Sequence, residues 1–247
     1  MKRKILITKD KKSGDKKAFE VIKNQILKKP DSLIGLAAGK TIDDLYKLIS
    51  KDVSLNPNKW KKVKLFQIDE NLGVKPDSSI SFNLEIRDKL KPLFKTVNPK
   101  NVFLMDGSKN PKETIKKANE FIRKNKGIDL IILGIGAEYD PHIAYNTTGK
   151  SSIDSKMRVV DLHPIVIKKI RCRGLLQQAP VKGITLGIQD ILKSRKALLI
   201  AYGEEKAKSI QLAFRDKKVN IKKASASALL LHKNLIVITD KDAAKYL

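Results

Sequence analysis

Short, nearly continuous apolar runs recur along the chain and alternate with longer stretches whose apolar positions repeat every three or four residues. The runs are Ile5–Thr8, Ser32–Leu36, Val63–Ile68, Asn101–Leu104, Asp129–Leu133, Lys196–Ala201 and Leu235–Thr239. The intervening stretches carry helical faces: Ala18, Val21, Ile22, Ile26 and Leu27 in one, and Ile115, Ala118, Phe121 and Ile122 in another. Apolar runs without polar alternation suit strands covered on both faces. Their alternation with helices predicts an α/β fold: a doubly wound, mostly parallel sheet with helices on both faces, Rossmann-like in plan. No linker, low-complexity tract or repeat interrupts the pattern, so residues 1–247 are expected to form a single domain. In such sheets ligands bind beyond the carboxyl ends of the strands. Functional residues are therefore expected in the loops just after the apolar runs.

Composition changes this picture little. Hydrophobic residues make up 41% of the chain, enough for a core. No stretch approaches the roughly 20 apolar residues that span a bilayer, so no membrane contact is expected. The basic start, Met1-Lys2-Arg3-Lys4, leads into an apolar run too short for a signal-peptide core and reads as a first strand. The one cysteine, Cys172, has no partner for an internal disulfide, which fits a cytoplasmic location. It lies between Arg171 and Arg173 and reads as an idle or buried thiol. Net charge is +26, which raises the question of nucleic acid. Only eight of the 52 basic residues are Arg, however, and the lysines are scattered rather than blocked into a tail. Base reading leans on the planar fork of Arg. The charge thus reads as a Lys-rich solvated surface that helps attract an anion, with no specific nucleic-acid partner.

Three loops carry candidate chemistry. Gly35-Leu36-Ala37-Ala38-Gly39-Lys40-Thr41 leads from a strand into a helix from Thr41 to about Leu48. Glycines let backbone approach an anion, and a helix start offers amides with a favourable dipole. The spacing is neither that of a Walker loop nor GxGxxG. Gln67-Ile68-Asp69-Glu70 places two adjacent acids after a strand, one of which can serve as a general base. Leu133-Gly134-Ile135-Gly136 leads to Glu138, Asp140 and His142. A histidine with a nearby carboxylate moves protons near neutral pH. The other two histidines, His163 and His232, read as structural. No ligand set with metal spacing is visible, so no metal and no cofactor is expected.

Taken together, these segments resemble the glucosamine-6-phosphate deaminase family, which shares its fold with 6-phosphogluconolactonases. Gly35 to Thr41 is similar to the family's Gly-Leu-(Ala/Pro)-Thr-Gly-x-Thr loop, and Asp69 to Gly73 to its Asp-Glu-Tyr-x-Gly turn. Ser79 and Phe82 follow where the family has a Ser and an aromatic. Gly134 to Asn146 resembles Gly-Ile-Gly-x-Asp-Gly-His-Ile-Ala-Phe-Asn, and Ser155 to Arg158 resembles Ser-x-x-Arg. Gly183 to Gly187, Gly203 to Ala207 and Ser227 to His232 match three further segments in the same order. His142-Ile143-Ala144-Tyr145-Asn146 favours the deaminase branch over the lactonase branch.

The resemblance implies a small phosphorylated sugar as partner. Its phosphate would lie at Gly39, Lys40 and Thr41, neutralised by Arg158 and Lys206. His142 with Asp140 would open the ring, and Asp69 would move the proton between C2 and C1. Ammonia and fructose 6-phosphate would result. The chain departs from the pattern in the Asp140–His142 loop, where Ala137-Glu138-Tyr139 replace one residue and Pro141 replaces glycine. Asn146-Thr147-Thr148-Gly149 stands where the family has Asn-Glu-Pro-Gly, so Thr147 replaces a glutamate implied to help ring opening. Glu138 and Glu70 are further candidates for proton transfer. A 6-phosphogluconolactonase, a galactosamine-6-phosphate deaminase/isomerase and a non-catalytic sugar-phosphate sensor remain alternatives. The chain ahead of Gly35 reads as strand plus helix, which leaves no helix-turn-helix for a regulator. A homo-oligomer stays open.

Overall fold

The computed structural model describes residues 2–171 and 180–247. Cys172 lies outside the described residues. The seven predicted strands are all present and form one parallel sheet. They are β1 (Lys2–Thr8), β2 (Leu33–Leu36), β3 (Lys64–Gln67), β5 (Val102–Phe103), β6 (Leu130–Leu133), β9 (Ala197–Ala201) and β10 (Asn234–Asp240), in the spatial order β1-β10-β9-β6-β2-β3-β5. After β2 the chain winds outward through β3 and β5, then returns to the other side of β2 with β6. The sheet is doubly wound, with helices on both faces, and its winding direction switches between β2 and β6. A crevice opens beyond the carboxyl ends of strands at such a point.

The helices bury one face each. α1 (Lys11–Lys28) is capped by Asp10, whose carboxylate accepts from Ser13 N at 2.7 Å, a contact worth about 1 kcal/mol. Ala18, Ile22 and Ile26, one helical turn apart, lie in the core. Leu27, expected on this face, is instead 55% exposed, because it falls about 100° round the helix from Ile26. α2 (Asp43–Leu55) starts after a 3₁₀ turn at Lys40–Ile42 and runs beyond the predicted Leu48, since Ile49 and Val53 continue its buried stripe. α3 (Pro57–Trp60) packs with α1 and α2, and α5 (Lys91–Thr96) packs with α2 and α3. α4 (Phe82–Lys89) lies between them in sequence and also meets α2. α6 (Pro111–Lys124) brings Phe121 onto the stacked Phe66 and Phe103.

A second, three-stranded antiparallel sheet was not predicted. It consists of β4 (Asp69–Asn71), β8 (Lys182–Thr185) and β7 (Arg158–Asp161), in the order β4-β8-β7. These strands are short and polar, so they lack the apolar runs that mark the main sheet. α7 (Pro164–Arg171), α8 (Ile188–Leu192) and α9 (Ala207–Ile210) complete the helical elements used below. No helix among the described residues is long and apolar enough to cross a membrane.

Candidate active site

β9, β6, β2 and β3 are neighbours in the main sheet, and their carboxyl ends carry the candidate loops. The loop after β6 is folded by its own backbone. Asp140 N donates to Ala137 O at 2.9 Å, closing a turn with Glu138 and Tyr139 at its centre. Glu138 is exposed there and makes no hydrogen bond or ion pair among the described residues. His142 N then donates to Asp140 O at 2.7 Å across Pro141, a three-residue turn that proline's fixed φ suits. This double turn accommodates the longer segment and brings Asp140 Oδ2 to 2.9 Å from His142 Nδ1. Gly136 makes the packing possible: a Cβ there would lie 2.1 Å from Asp140 O and 2.6 Å from His142 Nδ1.

Asp140 is 1% exposed, which alone would raise its pKa. The hydrogen bond and charge of His142 and the amide of Thr148, 2.8 Å from Oδ1, outweigh burial and hold the carboxyl below its usual range. Asp140 therefore stays ionised and fixes the imidazole, leaving His142 Nε2 to exchange protons. Ser225 secures the same loop. Its hydroxyl donates to Asn146 O at 2.5 Å, and Ala226 N donates to Pro141 O at 3.0 Å.

Asp69 experiences the opposite environment. It is 6% exposed, and its carboxylate has no hydrogen-bond partner among the described residues. Burial, then the neighbouring charges of Glu70 and Glu85, push its pKa up to about 8. Glu70 is sealed into the structure. It accepts from Gln67 Nε2, Ser81 Oγ and the amides of Asn71, Phe82 and Asn83, at 2.8–3.0 Å. Those bonds cap α4 and use the carboxylate fully, so the expectation that Glu70 transfers protons is corrected. Ser79 is exposed, and it is Ser81, one residue before Phe82, that turns inward to Glu70.

The small sheet indexes Asp69 against Arg158. Both pair directly with Thr185, so all three side chains share one face, with Asp69 and Arg158 about two strand spacings, roughly 10 Å, apart. The next row, Asn71, Gly183 and Val160, is covered by Tyr145. Tyr145 OH donates to Asn71 Oδ1 at 2.8 Å, and its ring lies where a Cβ on Gly183 would be. Tyr145 N donates to Thr185 Oγ1 at 3.0 Å. The His142 loop thus lies over the face that carries Asp69.

The cationic residues are arranged less uniformly. Lys206, after β9, donates to Ile135 O at 2.9 Å and so stands beside the His142 loop. Gly39 has φ 127° and ψ 155°, a region essentially restricted to glycine. Its amide, expected to face an anion, donates instead to Glu85 Oε1 at 2.8 Å. Lys40 is exposed and Thr41 half-buried, and neither side chain has a hydrogen bond or ion pair among the described residues. Arg158 donates to Asn146 Oδ1 at 3.1 Å and Ser151 Oγ at 2.9 Å. It lines a cavity of about 210 Å³ with Thr147, Lys150 and Ser151. That cavity adjoins Tyr145 but is not lined by His142 or Lys206. Arg158 is thus brought into register with Asp69, but not directly onto the Gly39–Thr41 turn.

His163 and His232 have backbone partners, at Ile165 N and Asn234 N, and His232 also meets Ser194 Oγ. Among the described residues no group of three or more His, Cys, Asp or Glu is placed to hold a metal ion. Sequence reasoning overlooked Glu85, whose Lys89 neighbour at i,i+4 resembles an ordinary surface pair. Thr185 lies in the Gly183–Gly187 segment that carries part of the resemblance, but it was given no role, because its importance comes from strand pairing.

The sequence and fold coincide with those of a known family. The chain belongs to the glucosamine-6-phosphate isomerase/6-phosphogluconolactonase family, whose model matches residues 12–235. A glucosamine-6-phosphate deaminase of Thermoanaerobacter sp. (strain X514) is 34% identical over 245 residues, covering 98% of this chain and 94% of the relative. One from Mycoplasmopsis pulmonis (strain UAB CTIP) is 33% identical over 249 residues, covering 99% and 95%. Among solved structures, a monomeric glucosamine-6-phosphate deaminase matches with TM-score 0.89 at 24% identity over 100% of both chains. A 6-phosphogluconolactonase from Trypanosoma cruzi matches with TM-score 0.75 at 18% identity, covering 100% and 97%. The solved structures share the fold.

Proposed function

We propose that this protein is a glucosamine-6-phosphate deaminase, converting the amino-sugar phosphate to fructose 6-phosphate and ammonia. The observation that carries the reading is the contrast between two buried carboxylates in the loops beyond β3 and β6: Asp69 without a donor, and Asp140 held against His142. Family membership and full-length relatives bearing that name support it.

In this reading His142, oriented by Asp140, moves the proton between ring oxygen and O1 as the sugar opens. Asp69 as carboxylate removes the C2 proton, giving an enolamine, and returns it to C1. The resulting imine at C2 takes up water and releases ammonia. Each positioned acid or base contributes about 10²–10⁴-fold. Lys40, Thr41 and Lys206 receive the phosphate, with Gly39 shaping the turn. Arg158 contributes charge from across Thr185 and holds Asn146, and through it the His142 loop. Thr147 replaces the glutamate implied by the family pattern. A hydroxyl is a poor proton acceptor, so His142 carries ring opening, and the exposed Glu138 is not required for it. No redox cofactor is needed, since the carbons exchange only protons and water. The test is a panel of glucosamine, galactosamine, glucose and gluconolactone 6-phosphates, assayed for ammonia and ketose. Ammonia and ketose in equal amounts from an amino sugar support the reading. Lactone hydrolysis without ammonia, or binding without turnover, overturns it.

A further inference from the structure

Glu85 lies where a phosphate-binding crevice should be positive. Its helix, α4, is pinned to the strand of Asp69 because Glu70 accepts from Ser81, Phe82 and Asn83 at the helix start. One turn after the cap at Ser81, Glu85 is therefore indexed rigidly to Asp69. Oε1 accepts from Gly39 N at 2.8 Å and from Lys89 Nζ at 2.5 Å, and Lys89 also bonds Asp43 at 2.5 Å. Oε2 accepts nothing among the described residues and is not sealed from solvent. The charged and titratable groups near it are Asp69 from β4, Asp43 and Tyr46 from α2, and Lys89 from its own helix. Negative charge prevails there. Such an arrangement costs affinity for a dianionic phosphate unless the ligand also brings a positive charge.

We propose that Glu85 is a specificity-determining residue, whose free carboxylate oxygen receives the C2 ammonium of a 2-amino sugar phosphate. The inference rests on the function proposed above. Asp69 takes its proton from C2, and the amino group is bonded to that same carbon. Glu85, on the helix whose start is bonded to the residue after Asp69 and near enough for its charge to act on Asp69, therefore lies on the side of the amine. A C2 hydroxyl, being neutral, gains far less from it. The tie to Gly39 fixes the amine site relative to the Lys40–Thr41 turn, so both charged ends of the substrate are measured by one element. Arrival of an ammonium near Asp69 also favours its ionised form, which helps arm the base when an amino sugar is bound.

The test compares two open-chain, unreactive inhibitors, 2-amino-2-deoxyglucitol 6-phosphate and glucitol 6-phosphate. The wild type is expected to prefer the amino compound by roughly tenfold or more. Glu85→Gln should bring that ratio to about one by weakening the amino compound alone, with glucitol 6-phosphate held within about threefold. Glu85→Ala, at a partly exposed position, should do the same and serves if the Gln variant folds poorly. A merely structural role would weaken both inhibitors together. Equal constants in the wild type, or an unchanged ratio in both variants, overturns the role of Glu85 while ammonia release stands. Failure of the wild type both to bind either compound and to release ammonia overturns the proposed function and this inference with it.

Discussion

Asp69 and Asp140 are both buried carboxylates beyond the carboxyl ends of nearby strands, yet their surroundings push them in opposite directions. Asp140 meets an imidazole and an amide, and stays ionised. Asp69 meets no donor and two like charges, and retains its proton up to about pH 8. Burial is common to both, so donors and neighbouring charge decide the outcome. In the function proposed, the two divide the work: Asp140 orients His142, and Asp69 is the base that takes a proton from carbon.

The comparison breaks most completely at Asp69. Asp69→Asn should lower kcat by about 10⁴-fold, the upper end for a positioned base. The same change should stabilise the protein. A raised carboxyl pKa means the folded state holds a proton that the unfolded chain releases near pH 4. Stability is therefore lost as pH rises from about 4 to about 8, and the cost is complete above that. Thermal melts at pH 9 should show the Asn variant more stable by at least about 1 kcal/mol. In the wild type, kcat/KM should fall about tenfold per pH unit below about 8 and level off above it, as measured on the free enzyme.

His142→Ala removes the partner that Asp140 orients and should lower kcat by about 10³-fold. Burst or single-turnover kinetics starting from the open-chain sugar should recover part of that loss if ring opening is the step affected. Gly136→Ala forces a Cβ against Asp140 O and His142 Nδ1, and should lower kcat by about 10–100-fold along with the melting temperature. Lys206→Ala and Arg158→Ala sharpen the assignment of the cations. The Lys206 change should raise KM about tenfold with little effect on kcat. The Arg158 change should lower kcat as well, since Arg158 also holds Asn146. Glu138→Gln should change kcat less than about twofold, because this group is exposed and unpaired among the described residues.

The inner strands of the main sheet were legible because burial on both faces demands an unbroken apolar run, as at Leu130–Leu133 and Ala197–Ala201. The loops after them carried the Asp69–Glu70 pair and His142, whereas Lys206 stood out only through the family resemblance. Leu27 was misplaced because apolar character alone does not say whether a position at the edge of a helical stripe is covered. The small sheet was invisible: Asp69–Asn71 pairs with Gly183–Thr185 through backbone hydrogen bonds, which leave no hydrophobic signature. Glu70 and Asp69 are adjacent and chemically alike in the chain. Only the cap of α4 separates a fully bonded carboxylate from one without a donor among the described residues.

The order of apolar and polar residues determined the parallel sheet and the loops after its strands, where the candidate histidine and acids lie. Periodicity reports burial, and burial is a property of each segment. Tertiary structure decided the ionisation of Asp140 and Asp69, the alignment of Arg158 with Asp69 across Thr185, and the contact of Glu85 with Gly39. Those depend on distances between segments far apart in the chain, where a few ångströms decide whether a carboxylate meets a donor or another charge.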